Sequence, residues 1–124
     1  MRELLLIGVA LSLLGCSGPV NPPGSDFAQT TAGRVAGPPQ SCIPTDRSSG
    51  IRALDEQTLA YGGGRTLYIN HLGGPCPGVR PLSTLIIEVH GNQYCRGDGV
   101  RAREMGSILA GPTCILGDWV PYRR

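Results

Sequence analysis

The sequence predicts an all-β domain, a small antiparallel barrel or sandwich of about six short strands held by two disulfides. Three observations carry that prediction. Nineteen Gly and eleven Pro among 124 residues are too many for a helical bundle. Apolar residues alternate over short stretches, and strong turn signals divide them. Four cysteines fall in the last 83 residues, a length at which a core alone is marginal.

The elements follow in chain order. Residues 51–54 and 58–61 flank Asp55-Glu56-Gln57 as a hairpin. Gly62-Gly63-Gly64 supplies a second turn, and residues 66–71 are a third strand. The run Gly73-Gly74-Pro75-Cys76-Pro77-Gly78 is a rigid loop that no helix or strand interior tolerates. Residues 82–90 are the most apolar segment, with Leu85, Ile87 and Val89 alternating against Ile86, Glu88 and His90. A helical turn over 82–85 can precede that strand. In 99–104, Val100 and Ala102 alternate with Arg101 and Arg103. Residues 105–113 are an irregular connection, and the last strand, 114–122, holds the only Trp, Trp119.

The first 41 residues read differently. A single Arg2, offset by Glu3, precedes an apolar run of eleven residues, 4–14, too short to span a bilayer. It ends in Leu13-Leu14-Gly15-Cys16, which resembles the bacterial lipobox. That resemblance implies cleavage after residue 15 and acylation of Cys16. Two or three acyl chains anchor stably where one does not, at about 0.8 kcal/mol for each buried CH₂. Ser17 in place of Asp favours the outer membrane, by resemblance to Gram-negative sorting. Residues 17–41 are rich in Pro and Gly with scattered apolar positions, so 16–41 is expected to be the lipid-attachment Cys and a disordered tether. Its 25 residues after Cys16 would span roughly 25–30 Å on average.

With Cys16 set aside, Cys42, Cys76, Cys95 and Cys114 remain in the domain 42–124. An even count in an exported chain reads as two disulfides. A metal site from all four thiolates lacks any C-x-x-C pair and is disfavoured in an oxidising envelope. If consecutive strands alternate up and down, Cys42 and Cys95 share one end and Cys76 and Cys114 the other. Bridges need Cα atoms within about 7 Å, so parity predicts Cys42–Cys95 and Cys76–Cys114. Sequence alone leaves three connectivities open.

The motifs Ile51-Arg52, Leu54-Asp55-Glu56-Gln57, Cys76-Pro77-Gly78 and Cys95-Arg96-Gly97-Asp98 together resemble a family of small exported proteobacterial proteins classed as a domain of unknown function. The resemblance covers nearly all of the domain and implies export and a small disulfide-bonded fold, with no activity or cofactor attached. Gly62-Gly63-Gly64 departs from the pattern as a looser turn, which leaves the register of the neighbouring strands open.

Few residues suggest chemistry. Cys76-Pro77-Gly78 and Cys95-Arg96-Gly97-Asp98 read as turns, with Gly supplying positive φ and Asp bonding backbone amides. Arg96-Gly97-Asp98 also spells the integrin-binding tripeptide, which the turn already explains. His71 and His90 end two strands that can neighbour each other, and Glu88 shares the His90 face, so a His/His/Glu site or a His–Glu pair is conceivable. A triad of His90, Asp98 and a serine has no support from spacing. Arg101 and Arg103 lie on one strand face and Arg123-Arg124 end the chain, a small cationic surface for phosphate or carboxylate. All eleven basic residues are Arg and the net charge is only +2, too weak for nucleic acid. Tyr61, Tyr68, Tyr94, Tyr122 and Trp119 are too dispersed for a stacking surface.

The sequence therefore predicts a lipid-anchored cell-envelope protein, exported and facing the periplasm from the outer membrane. It is expected to act as a non-enzymatic binding or structural module with a protein or glycan partner, and without cofactor, metal or nucleic acid. The alternatives are a small periplasmic hydrolase using His90 or His71, and an inhibitor of an envelope-active enzyme.

Overall fold

The structure, a computed structural model, describes residues 25–46 and 48–124. The leader and Cys16 lie outside the described residues. Among the described residues are ten strands and one helix: α1 (Ser25–Thr31), β1 (Val35–Ala36), β2 (Cys42–Pro44), β3 (Ile51–Ala53), β4 (Thr58–Gly63), β5 (Thr66–His71), β6 (Thr84–Glu88), β7 (Gln93–Cys95), β8 (Gly99–Arg103), β9 (Cys114–Ile115) and β10 (Trp119–Arg123). They form open antiparallel sheets, as the fold class predicted, and not a closed barrel. One sheet has the order β1-β10-β5-β4-β3, a second β6-β8-β9, and β2 pairs β7 as a ribbon.

The predicted hairpins are present. Ile51 lies opposite Tyr61 and Ala53 opposite Leu59, and the Asp55 carboxylate closes the turn by accepting the Gln57 N–H at 2.8 Å. The β4–β5 register runs unbroken from Thr58 opposite His71 to Gly63 opposite Thr66. Gly62 and Gly63 are thus strand residues, and the turn is Gly64-Arg65. Gly64, at φ 63°, supplies the positive φ that a two-residue hairpin loop needs.

The strand count exceeds the expected six for three reasons, one of them β1, which lies in the stretch expected to be a tether. The expected strand 114–122 is interrupted after Ile115, so β9 joins β8 and β10 joins β5. The three residues of β2 and the three of β7 are too short to show a periodicity, and they pair only with each other. No helical turn precedes β6; residues 80–83 form a β-turn instead.

All three sheets contribute to one core. Ile43 comes from β2, Leu59 and Tyr61 from β4, Val100 and Ala102 from β8, and Trp119 from β10. A second, smaller cluster of Leu54, Ala60, Leu67 and Ile69 lies on the other face of the five-stranded sheet. That sheet is buried on both faces, which is why Thr58, Leu59, Ala60 and Tyr61 are all buried in succession.

The cover on that second face corrects the expected tether. Residues 25–41 are an ordered arm, not a disordered chain. Phe27 of α1 packs on the Leu54, Ala60, Leu67 and Ile69 cluster and meets the Tyr122 ring edge-on at 6.0 Å. β1 pairs with β10, the Gly37 N–H donates to Pro121 O at 2.7 Å, and Gln40 and Trp119 exchange both backbone bonds at 2.8 Å. One aromatic and a set of backbone bonds order the arm, and neither leaves a periodic pattern in sequence.

Both parity-predicted disulfides are present, Cys42–Cys95 and Cys76–Cys114. The second joins the loop after β5 to the first residue of β9. Cys42 and Cys95, by contrast, are register partners inside the β2–β7 ribbon, with Cα atoms 4.0 Å apart.

Candidate functional site

β5 ends at His71, and the chain then turns through Leu72, Gly73, Gly74 and Pro75 to Cys76. Two backbone bonds fix this loop: Leu72 N–H to Gln57 O and Cys76 N–H to Glu56 O, each 2.8 Å. The Cys76–Cys114 bridge ties it to β9 and the residues after it. Between the two walls lies an open cleft of about 470 Å³, lined by His71, Gly73, Gly74, Arg96, Ile115 and Gly117 among others.

The second wall is held as firmly as the first. Gly97 N–H donates to Leu116 O and Leu116 N–H to Asp98 O, both at 3.0 Å. The buried Asn70 side chain bonds both the N–H and the carbonyl of Gly117. Arg96 stands at the rim, its Nη1 3.5 Å from Asp118 Oδ2 in a solvent-exposed pair worth little in stability. His71 Nδ1 lies 3.5 Å from Thr58 Oγ1, and its ring is 5.6 Å from that of Phe27. The cleft lining includes one imidazole and one guanidinium, and no carboxylate or hydroxyl side chain.

The other residues singled out in sequence fall elsewhere. His71 and His90 do not neighbour each other along one sheet: His71 ends β5 in the five-stranded sheet, while His90 follows β6 in the three-stranded one. Glu88 is held by Arg101, Oε1 to Nη2 at 2.8 Å, across the β6–β8 pair. His90 instead meets Asp98, Nδ1 to Oδ1 at 3.3 Å. Asp98 is buried, and its other oxygen accepts the Cys95 N–H at 2.8 Å, which closes the turn that the sequence predicted. That engagement also withdraws the carboxylate of Arg96-Gly97-Asp98 from any adhesive role. Among the described residues no hydroxyl or thiol is hydrogen-bonded to His90, and no three His, Cys, Asp or Glu side chains gather as metal ligands.

Sequence reasoning did not join His71 to Arg96. The available signal was the Cys76–Cys114 pairing, which forces the loop after His71 against the segment beside Arg96. Compared with known proteins, the chain matches no family model, no curated protein and no solved structure. The two disulfides fit an oxidising, exported environment, and among the described residues no helix is long and apolar enough to cross a membrane.

Proposed function

We propose that this is a lipid-anchored envelope protein, tethered at Cys16 and acting as a binding module whose cleft takes a carboxylate-bearing envelope component. The observation that carries the reading is the cleft itself, whose walls are bridged by Cys76–Cys114 and whose ionisable lining residues are His71 and Arg96. A guanidinium offers a forked donor set to a carboxylate, and Leu72, Pro75 and Ile115 give the rest of the lining apolar character. No carboxylate is among the lining residues beside His71, whose one hydroxyl neighbour is Thr58 Oγ1 at 3.5 Å, and this favours binding over acid–base chemistry. The lipobox and the resemblance to small exported proteins support the location.

A photoreactive residue at Ile115, half in solvent on the cleft wall, tests this in cells. The expected result is one discrete adduct, lost in Arg96→Glu. An adduct unaffected by Arg96→Glu, or none at all, removes the cleft from consideration.

The hydrolase reading has one observation in its favour, the His90–Asp98 contact, with His90 largely exposed and Asp98 buried. Alanine at His90, which lies outside the cleft, separates the two readings. Full biological activity in that variant excludes a hydrolase built on the His90–Asp98 contact.

A further inference from the structure

Two turns leave the same end of the β6–β8 ladder, whose last pair is Thr84 opposite Arg103. Before Thr84, the Ser83 N–H donates to Arg80 O at 3.1 Å and closes a turn around Pro81 and Leu82. After Arg103, the Ser107 N–H donates to Glu104 O at 3.0 Å and closes a turn around Met105 and Gly106. The third residue of each has positive φ, 72° at Leu82 and 84° at Gly106. That is type II geometry, in which the third place belongs to glycine. Arg80 Nη2 and Glu104 Oε1, 2.8 Å apart, tie the first residues of the two turns together.

The pair of turns presents aliphatic side chains to solvent. Leu82 is 87% exposed, Met105 83%, Ile108 91% and Leu109 76%. The Ser107 hydroxyl fixes the end of this run, donating to Leu109 O at 3.1 Å and accepting the Leu109 N–H at 3.2 Å. Leucine at a left-handed φ is strained, and a side chain this exposed recovers nothing by packing within the domain.

We propose that the paired turns form a lipid-inserting tip that seats the domain on a bilayer surface. All four side chains are largely exposed, Leu82 and Met105 at the rim of one shallow open depression and Leu109 at the rim of another, and none is aromatic or cationic. Protein-binding hot spots favour Trp, Tyr and Arg set against matching pockets, whereas an acyl layer needs no pocket. Arg80, Arg103 and Glu104 flank the tip with one net positive charge, suited to a headgroup layer containing anionic lipid. Chain length adds the proximity, and here the inference rests on the anchor proposed above. Only residues 17–24 separate Cys16 from the ordered arm. Eight residues reach about 27 Å fully extended and about 15 Å on average. A lipid on Cys16 therefore keeps the domain within about its own diameter of the membrane.

Ile108→Trp in the full-length chain, bound to vesicles of phosphatidylethanolamine and phosphatidylglycerol, places a reporter at the tip. Its emission is expected to shift to the blue and to be quenched severalfold when the acyl chains carry bromine. The parent protein, whose Trp119 is fully buried, is expected to show no quenching. Adding Leu82→Gly should shift the insertion equilibrium toward the unquenched form on the order of tenfold, the loss of one buried aliphatic side chain, without lowering the melting temperature. Water-like, unquenched emission from vesicle-bound protein overturns the proposal, as does a failure to bind vesicles or a tip that crosslinks to a protein instead. Palmitate on Cys16 is scored separately by mass, so loss of the anchor and loss of insertion are distinct results.

Discussion

Asn70 and Gly117 are joined by two hydrogen bonds. Asn70 Nδ2 donates to Gly117 O at 2.8 Å, and the Gly117 N–H donates to Asn70 Oδ1 at 2.9 Å. A buried side-chain amide thus stands in for a strand neighbour where β9 hands over to β10. Asn70→Ala leaves both backbone groups unpaired and is expected to cost about 2–4 kcal/mol. A lower urea midpoint at unchanged slope checks it. Gly117→Ala should be harmful for a different reason, since a Cβ there would sit 2.5 Å from the His71 carbonyl.

Each disulfide closes a long loop, with sequence separations of 53 and 38 residues. Replacing Cys42 and Cys95 together by Ala is expected to destabilise the domain by about 2–5 kcal/mol. A non-reducing peptide map should recover Cys42 linked to Cys95, and a Cys76–Cys95 peptide would contradict the structure.

Tyr94 packs between Tyr61, edge-on at 5.5 Å, and Trp119, stacked at 6.4 Å. Burial pushes its phenol pKa upward, and the nearby Tyr61 adds to the shift. The folded state then holds this proton more tightly than the unfolded one. Its contribution is intact below the unfolded pKa of about 10 and is lost as pH rises through the folded value. Thermal unfolding followed into the alkaline range should show a loss of stability that Tyr94→Phe reduces.

Leu82 occupies a glycine position at the surface. Leu82→Gly is expected to raise stability by up to about 1 kcal/mol, the relieved strain less the added chain entropy. A fall in the melting temperature would show that the leucine is held by contacts within the fold.

Cys16→Ala should abolish palmitate labelling in cells, and persistent labelling would remove the lipid anchor from the reading.

Some of this was legible in the sequence because the cause was local. Gly64 after an apolar strand, and Asp55 two residues before Gln57, carry their turns in their own chemistry. The alternation of Val100 and Ala102 with Arg101 and Arg103 is the pleat of β8 itself. Strand parity predicts the pairing of Cys42 with Cys95, although the two sit across a ribbon and not at two loop ends. What stayed hidden depends on distant partners. Phe27 is a single apolar residue in a polar stretch until Leu54, Ala60, Leu67 and Ile69 present a surface to cover. The cleft exists only because Cys76–Cys114 brings two remote segments together. The tip at Leu82 and Met105 was hidden for the opposite reason: an apolar residue reads as core, and only its place in the fold shows it facing water.

The two disulfides interleave, since Cys76 lies between Cys42 and Cys95 and Cys95 lies between Cys76 and Cys114. Cysteines oxidised in the order in which a chain is synthesised would join Cys42 to Cys76, a bond absent from the native set. The arm adds a second delay, because β1 is completed only by β10, which follows Cys114 in the chain. Native pairing therefore has to wait for Cys114, or be reached by exchange through a wrong bond. A thiol–disulfide isomerase is the helper such a chain calls for, and its yield in an oxidising compartment should depend on one.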